Sequence, residues 1–263
     1  MSIYSDEHKK YLKKRKTRKI AIIISQITLI LLFIGIWQLA ADKRWINTFI
    51  SSSPKDVLNT FLGLLSKNNI FNHIYITVYE TLLSFLIASI LGLIIASILW
   101  WNKFIADVLD PYLTVLNSLP KVALGPLIII WIGANTSSII FMALMISLII
   151  SIINIYNGFI STDENYITLM KSFNANKFKI YKSVILPSNI STIVNCLKIN
   201  ISMSLIGVIM GELLVSKEGL GYLIMYGSQV FNINLVITSV VILAIISYLM
   251  YFIVNYIEKK LSK

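Results

Sequence analysis

Few residues in this 263-residue chain could do chemistry, and their spacing argues against an enzyme. A single cysteine, Cys196, rules out an intrachain disulfide, and two isolated histidines, His8 and His73, give no metal-ligand spacing. The apolar runs hold no Ser–His arrangement and no paired carboxylates, and there is no GxxxxGKS/T phosphate loop anywhere. What remains is a handful of polar residues in apolar surroundings. Glu80 and Glu212 fall near the ends of apolar runs, and Glu80 reads first as a boundary charge within reach of interfacial water. Asn117, Ser118 and Lys121 stand around Pro120. A lysine-bearing polar island occupies residues 161–187, with a long uncharged run before it and a mostly apolar one after it.

The elements that must position these residues are membrane helices. Hydrophobic residues make up 57% of the chain and charged residues 13%, against about 25% charged in soluble domains. Uncharged runs of 22 residues (20–41 and 81–102) and 41 residues (122–162) are long enough for one, one and two passes at about 20 residues each. With two further apolar stretches, six spans are expected, at roughly 20–41, 78–101, 112–132, 137–160, 188–214 and 234–257. The formal charge of +11 would suggest nucleic acid in a soluble protein. Here the distribution answers otherwise. With both termini in the cytoplasm, 16 of the 23 Lys and Arg lie inside and 5 outside, while Lys121 and Lys198 lie in or near spans. The expected architecture is therefore an all-α, multi-pass membrane protein with cytoplasmic N- and C-termini. Residues 1–19 form a basic tail suited to anionic lipid, and 20–263 a single transmembrane domain. No nucleic-acid partner is expected.

Outside the first span, Ser53-Pro54 reads as an N-cap with proline at the first helical position, opening a short surface helix with Val57, Leu58, Phe61, Leu62 and Leu65 on one face. Trp100 and Trp101 close the second span at an interface, and a short inside loop is expected over 102–110. The third span carries Pro111, Pro120, Gly125 and Pro126 and must be kinked or broken. Such backbone is tolerated where protein or a water-filled cavity satisfies it. Asn117, Ser118, Pro120 and Lys121, together with Glu212, are thus the candidates for the lining of a translocation path. Lys121 has a second reading, in which its ammonium snorkels to headgroups. In the fourth span Ser147, Ser151 and Gly158 approximate a small-residue stripe for close helix packing.

The island reads as helix, turn, helix. Ser161-x-x-Glu164 fits a capping box, and Tyr166, Met170 and Phe173 recur at i, i+4 and i+7 beside Lys171. Asn174 suits a left-handed stop, and Asn176 can cap a second helix with Phe178, Tyr181 and Ile185 on one face. Pro187 is expected to end that helix, since the residue before a proline is pushed out of the helical region.

The island resembles the EAA loop of inner-membrane subunits of bacterial ABC importers. On that pattern the conserved-type glycine position falls on Asn174, the isoleucine on Val184 and the Leu-Pro pair on Leu186-Pro187, whereas the EAA triplet becomes Thr168-Leu169-Met170. The stretches SSSPKDVLNTFLGLL, LPKVALGPLIIIWIG and GELLVSKEGLGYLI are similar to those of permeases for nitrate, sulfonate and taurine, and Glu80 departs from that subgroup, which often has a basic residue there. The resemblance implies two permease subunits forming the path, two cytoplasmic ATPase subunits using ATP and Mg, and an external solute-binding protein. This chain would bind no cofactor and no metal. The loop, through Thr168, Leu169, Met170, Lys171, Phe173, Asn174 and Pro187, would sit in a groove of the ATPase. The implied cargo is a sulfonate, taurine or nitrate-type anion, or else a thiamine-precursor pyrimidine. A stand-alone secondary transporter or membrane scaffold is the reading from another class; the lack of an internal repeat weighs against the transporter.

Overall fold

The computed structural model describes residues 6–66 and 70–261, so residues 1–5 of the expected tail, and Lys67 and Lys263 of the charge reading, lie outside it. Every regular element among the described residues is helical. The chain divides into two units, residues 1–63 and 64–263.

In the first unit the basic tail and first apolar run form one helix, α1 (Asp6–Asp42). It stops where Arg44 turns left-handed (φ 57°) and the Trp45 N–H closes back on Ala40 O at 2.9 Å. A short α2 (Thr48–Ser51) follows, capped by Asn47. The expected proline-led helix is α3 (Pro54–Ser66). Ser53 Oγ accepts the Asp56 N–H at 3.1 Å and donates to the Asp56 carboxylate at 2.7 Å, so the cap works in both directions.

The second unit is built on α4 (Ile70–Trp101), α7 (Thr136–Ile160) and α11 (Ile190–Val215), which pack against one another. Between α4 and α7 lie α5 (Lys103–Ser118), a 3-10 turn (Lys121–Leu124) and α6 (Gly125–Ile132). After α7 come α8 (Glu164–Ser172), α9 (Lys177–Ile180), a π turn (Tyr181–Ile185) and α10 (Leu186–Ser188). The chain ends with α12 (Leu220–Gln229) and α13 (Ile233–Leu261). Among the described residues, five helices are long and apolar enough to cross a membrane, and six if the α5–α6 pair counts as one span.

Small residues set the helix spacing. A Cβ on Gly207 would lie 2.4 Å from Ala143 Cα, and one on Gly92 would lie 2.5 Å from Ser151 Cβ. Ser147, Ser151 and Gly158 of the expected stripe are all buried, the latter two against α11. At the centre of this packing Asn200 donates to Ser151 Oγ at 2.5 Å and to Ser89 Oγ at 3.1 Å, joining all three helices.

Two expectations about element bounds are corrected. No loop spans 102–110: Asn102 alone separates α4 from α5, its side chain accepting the Ile105 N–H at 3.3 Å. Helix α4 begins at Ile70, eight residues ahead of the expected span, so Glu80 lies well inside it and is 1% exposed rather than interfacial. The third span is broken as expected, its two arms bent by 85°. Pro120 has no N–H to continue the ladder and caps the 3-10 turn instead.

Candidate functional site

Two sites stand at opposite ends of the α4, α7 and α11 packing. At one end, the turn between α11 and α12 holds Gly219, Leu220 and Gly221. Their N–H groups are the orphan donors of a helix start, and each finds a partner. Gly221 donates to Glu212 Oε2 at 2.6 Å, Leu220 to Thr77 Oγ1 at 2.9 Å, and Gly219 to His73 Nδ1 at 2.9 Å. The Thr77 hydroxyl donates in turn to Glu212 Oε1 at 2.6 Å. Gly219 (φ 101°, ψ 168°) occupies backbone space open only to glycine, and a Cβ there would stand 2.3 Å from Glu212 Oε1. Glu212 is therefore a buried cap that ties α11, α12 and α4 together.

Glu80 lies one turn along α4 from Thr77, and its buried Oε2 has no hydrogen-bond partner among the described residues. It forms part of the wall of a cavity of about 660 Å³, together with Tyr79, Asn135, Thr136, Lys217 and Glu218. Glu218 is held by Asn72 at 3.1 Å. The polar stripe of α4 (Asn72, His73, Thr77, Glu80) thus serves the α11–α12 turn and this cavity, although its apolarity is too low to mark it as part of a span.

The remaining path candidates gather elsewhere. Asn117 and Ser118 end α5 and are exposed, as is Pro120. The half-buried Lys121 donates to Asn117 O and Oδ1 at 3.3 and 3.4 Å. The lysine thus folds back on its own break in the helix, and Glu212 belongs to a separate, fully bonded cluster.

At the other end lies the island. Asp163, not Ser161, is the N-cap of α8, accepting the Asn165 N–H at 2.9 Å, while Ser161 Oγ donates to Gly158 O. Asn174 adopts the left-handed conformation expected of it (φ 53°), and the Ala175 N–H closes on Met170 O at 3.0 Å. Asn176 caps α9 by accepting the Lys179 N–H at 2.9 Å. The expected stripe of α8 splits between two faces. Met170, with Ile167, packs inward against the cluster of Ile155, Phe159, Ile180 and Ile185, whereas Tyr166, Leu169 and Phe173 point out, Phe173 at 74% exposure. Thr168, Lys171, Asn174 and Pro187 are exposed as well.

Pro187 does not end the second helix. Leu186 keeps helical dihedrals (φ −62°, ψ −50°), and the chain passes through the proline to Asn189. The preceding π turn widens the ladder, with Leu186 N–H bonded to Tyr181 O, and so accommodates a residue with no N–H. Asn189 then takes the free Ile185 carbonyl at 2.9 Å and Thr162 Oγ1 at 2.8 Å, closing the base of the island. The aromatic surroundings of Lys177 and Tyr181 were not foreseen: Trp100, Trp101, Phe159 and Phe178 all lie about them.

Among the described residues no group of His, Cys, Asp or Glu could hold a metal ion, and Cys196 is free and buried.

A family profile described as binding-protein-dependent transport system inner membrane component matches residues 88–263. The chain is 28% identical over 230 residues to a protein of Bacillus subtilis (strain 168) named as an aliphatic sulfonates transport permease, covering 88% of this chain and 83% of that one. It is 25% identical to a formylaminopyrimidine transport permease protein of Halalkalibacterium halodurans, over 73% of this chain and 76% of that one. A riboflavin transport system permease protein of Chloroflexus aurantiacus is 27% identical over 90% of this chain and 88% of its own. Among solved structures, an inward-facing MetNI methionine ABC transporter chain superposes with a TM-score of 0.66 at 19% identity, covering 74% of this chain and 96% of that one. A chain of a bacterial ABC transporter for import of alginate gives 0.66 at 14% identity, over 95% and 98%.

Proposed function

Because the chain belongs to the family of binding-protein-dependent transport system inner membrane components, the permease subunits of ABC importers, we propose that it is the transmembrane half of an importer driven by separate ATPase subunits. Two copies enclose the path, two cytoplasmic ATP-binding subunits using ATP and Mg drive it, and an external solute-binding protein delivers the cargo. Both termini lie in the cytoplasm. Closure of the ATPase pair pushes on residues 161–187, and the helices swing between inward-open and outward-open states. ATP is hydrolysed by the partner, not by this chain.

The observation that carries this reading is the outward ridge of Tyr166, Leu169 and Phe173, flanked by exposed Lys171 and ended by left-handed Asn174. Large apolar side chains beside a lysine, at the end of a membrane protein away from its packed interior, suit a groove on a soluble partner. Phe173→Asp and Lys171→Glu should each leave membrane insertion intact and uncouple uptake from ATP hydrolysis. Normal uptake in both variants would falsify the docking role.

The first substrate reading is a sulfonate, taurine or nitrate-type anion; the names of two relatives support an aliphatic sulfonate, whereas taurine and nitrate rest on the resemblance of the sequence alone. A second is an amino-bearing pyrimidine, as in the name of another relative. Two carboxyl-bearing residues, buried Glu80 and exposed Glu218, against one lysine, Lys217, in the wall of the 660 Å³ cavity favour it, because a carboxyl group accepts N–H donors and repels an anion. Uptake of labelled taurine and of labelled formylaminopyrimidine into cells lacking this gene, with and without the gene restored, separates the two. Restoration of neither uptake removes both.

A further inference from the structure

We propose that Lys177, Tyr181, Trp100 and Trp101 form a clasp that makes the cytoplasmic loop and the α4–α5 corner one moving body, so that force received by the loop reaches the bent α5–α6 pair. The proposal rests on the coupling role given to the loop above.

The contacts are of several independent kinds. Lys177 Nζ donates to the carbonyl of Trp101 at 2.5 Å, across 76 positions of sequence. Trp101 is the last residue of α4, so its carbonyl is an orphan acceptor at the negative end of a long helix, where a cation is favoured. The same ammonium stands 5.5 Å from the ring centroid of Trp100, a cation–π arrangement. One residue of α9 therefore supplies the cap that α4 lacks.

Tyr181 adds a second tie. Its hydroxyl lies 2.6 Å from Ser97 Oγ, and Ser97 already donates its own proton to Leu93 O at 2.6 Å. The Tyr181 O–H must then donate to Ser97, which fixes the direction of the bond. The Tyr181 ring packs against Trp100 (centroids 5.3 Å apart), Trp101 (5.7 Å) and Phe159 (5.9 Å), and Phe178 meets Trp101 at 6.4 Å. Offset and edge-on ring pairs of this kind resist sliding as well as separation.

What makes the clasp mechanical is its place in the chain. Asn102 alone joins α4 to α5, so a displacement of Trp101 is a displacement of the start of α5. Helix α5 ends at the break around Pro120, the point of the 85° bend. On the loop side, Tyr181 opens the π turn, the one departure from regular α-helical bonding between α9 and α10. A π turn there gives a seam on which the clasped segment can shift while α11 stays packed. Loop, corner and bend thus form a continuous route of packed and bonded atoms with a two-armed element at its end.

The test uses the assembled importer, permease with its ATP-binding and solute-binding subunits, reconstituted in vesicles, and reads solute moved per ATP hydrolysed. Lys177→Met combined with Tyr181→Phe should lower that ratio about tenfold, the scale of losing a charged hydrogen bond from the route. The ATP-binding subunits should stay bound, and ATP should still turn over. Lys177→Arg, which keeps both the donor and the cation, should restore the ratio. A merely structural role would lower complex yield, hydrolysis and uptake together and leave the ratio unchanged, and that result overturns the clasp. Normal coupling here alongside an uncoupled Phe173→Asp also overturns it, while leaving the docking role standing. If both stay coupled, the docking role itself falls.

A second measurement needs no change within the clasp. Spin labels at Lys103→Cys and Lys179→Cys, both exposed positions on either side of it, report their separation in nucleotide-free and ATP-bound complexes. The separation should be the same in both states. A change on the order of 5 Å, about one helical turn, means that the loop slides past the corner, and the clasp is wrong.

Discussion

At Glu212 one carboxyl group answers two donors from different helices, and its partner Thr77 both donates to it and accepts from Leu220. Thr77→Val keeps the shape of the side chain and removes both bonds. It leaves the Leu220 N–H buried with no partner, a cost of about 1–3 kcal/mol. That converts to a loss of roughly 2–10 °C in melting temperature for a chain of this size. Thr77→Ser keeps the hydroxyl and should melt within a degree or two of the parent, by the same relation. Equal melting of all three proteins in detergent would mean that the cap contributes nothing. The residues of this cluster were legible only in part. The glutamate before Gly-Leu-Gly was visible in GELLVSKEGLGYLI, but its partner Thr77 lies 135 positions away on α4, and no local pattern links the two. Glu80 was misplaced for a related reason. Hydropathy treats His73, Thr77 and Glu80 as a boundary, because it counts polarity without knowing that another helix start will bond His73 and Thr77 and that Glu80 will be buried beside them.

At the scale of elements, the connection between α8 and α9 turns on one left-handed residue. Asn174 (φ 53°) is followed by the Ala175-to-Met170 closure and then by the Asn176 cap. Asn174→Val puts a β-branched side chain into that conformation at a cost of about 1–2 kcal/mol, and should reorient α8 relative to α9. Uptake and the amount of ATPase copurified should both fall, whereas Asn174→Gly should match the parent in both. Retention of parent-level uptake and ATPase by Asn174→Val would show that the turn does not position the ridge. The helix–turn–helix plan of the loop was readable because caps and stops are local: Asn174 and Asn176 each act within three residues of themselves. Two local rules failed where another local bond won. Ser161 turns back to Gly158, leaving the cap to Asp163. Pro187 stays helical because the π turn before it, in which the Leu186 N–H bonds Tyr181 O, accommodates a residue with no N–H. Which of the α8 side chains face outward was likewise beyond the periodicity, since Tyr166, Met170 and Phe173 fit one stripe equally well until Met170 meets Ile180 and Ile185.

For the molecule as a whole, the two sites must lie on opposite sides of the membrane if the α4, α7 and α11 helices span it. Helix α4 runs from the cavity residues Ile76 to Glu80 towards Trp101 at the loop, α7 runs the same way from Thr136 to Ile160, and α11 returns from Asn189 at the loop to Glu212 at the cavity. On the orientation proposed above, for which the Lys and Arg bias of the sequence argues, the loop faces the cytoplasm and the cavity the exterior. The chain is suited to a direct check because its one native cysteine, Cys196, is 2% exposed and should stay silent. A single Lys171→Cys, on the loop, should react with a membrane-impermeant maleimide in inside-out vesicles and not in right-side-out ones. Lys217→Cys, at the cavity, should do the reverse. Labelling of both from the same side would break the span count, because an odd number of crossings must separate the two positions. Labelling of each from the wrong side would keep the count and invert the protein, which would place the loop beyond the reach of any ATP-bearing partner and end the importer mechanism with it.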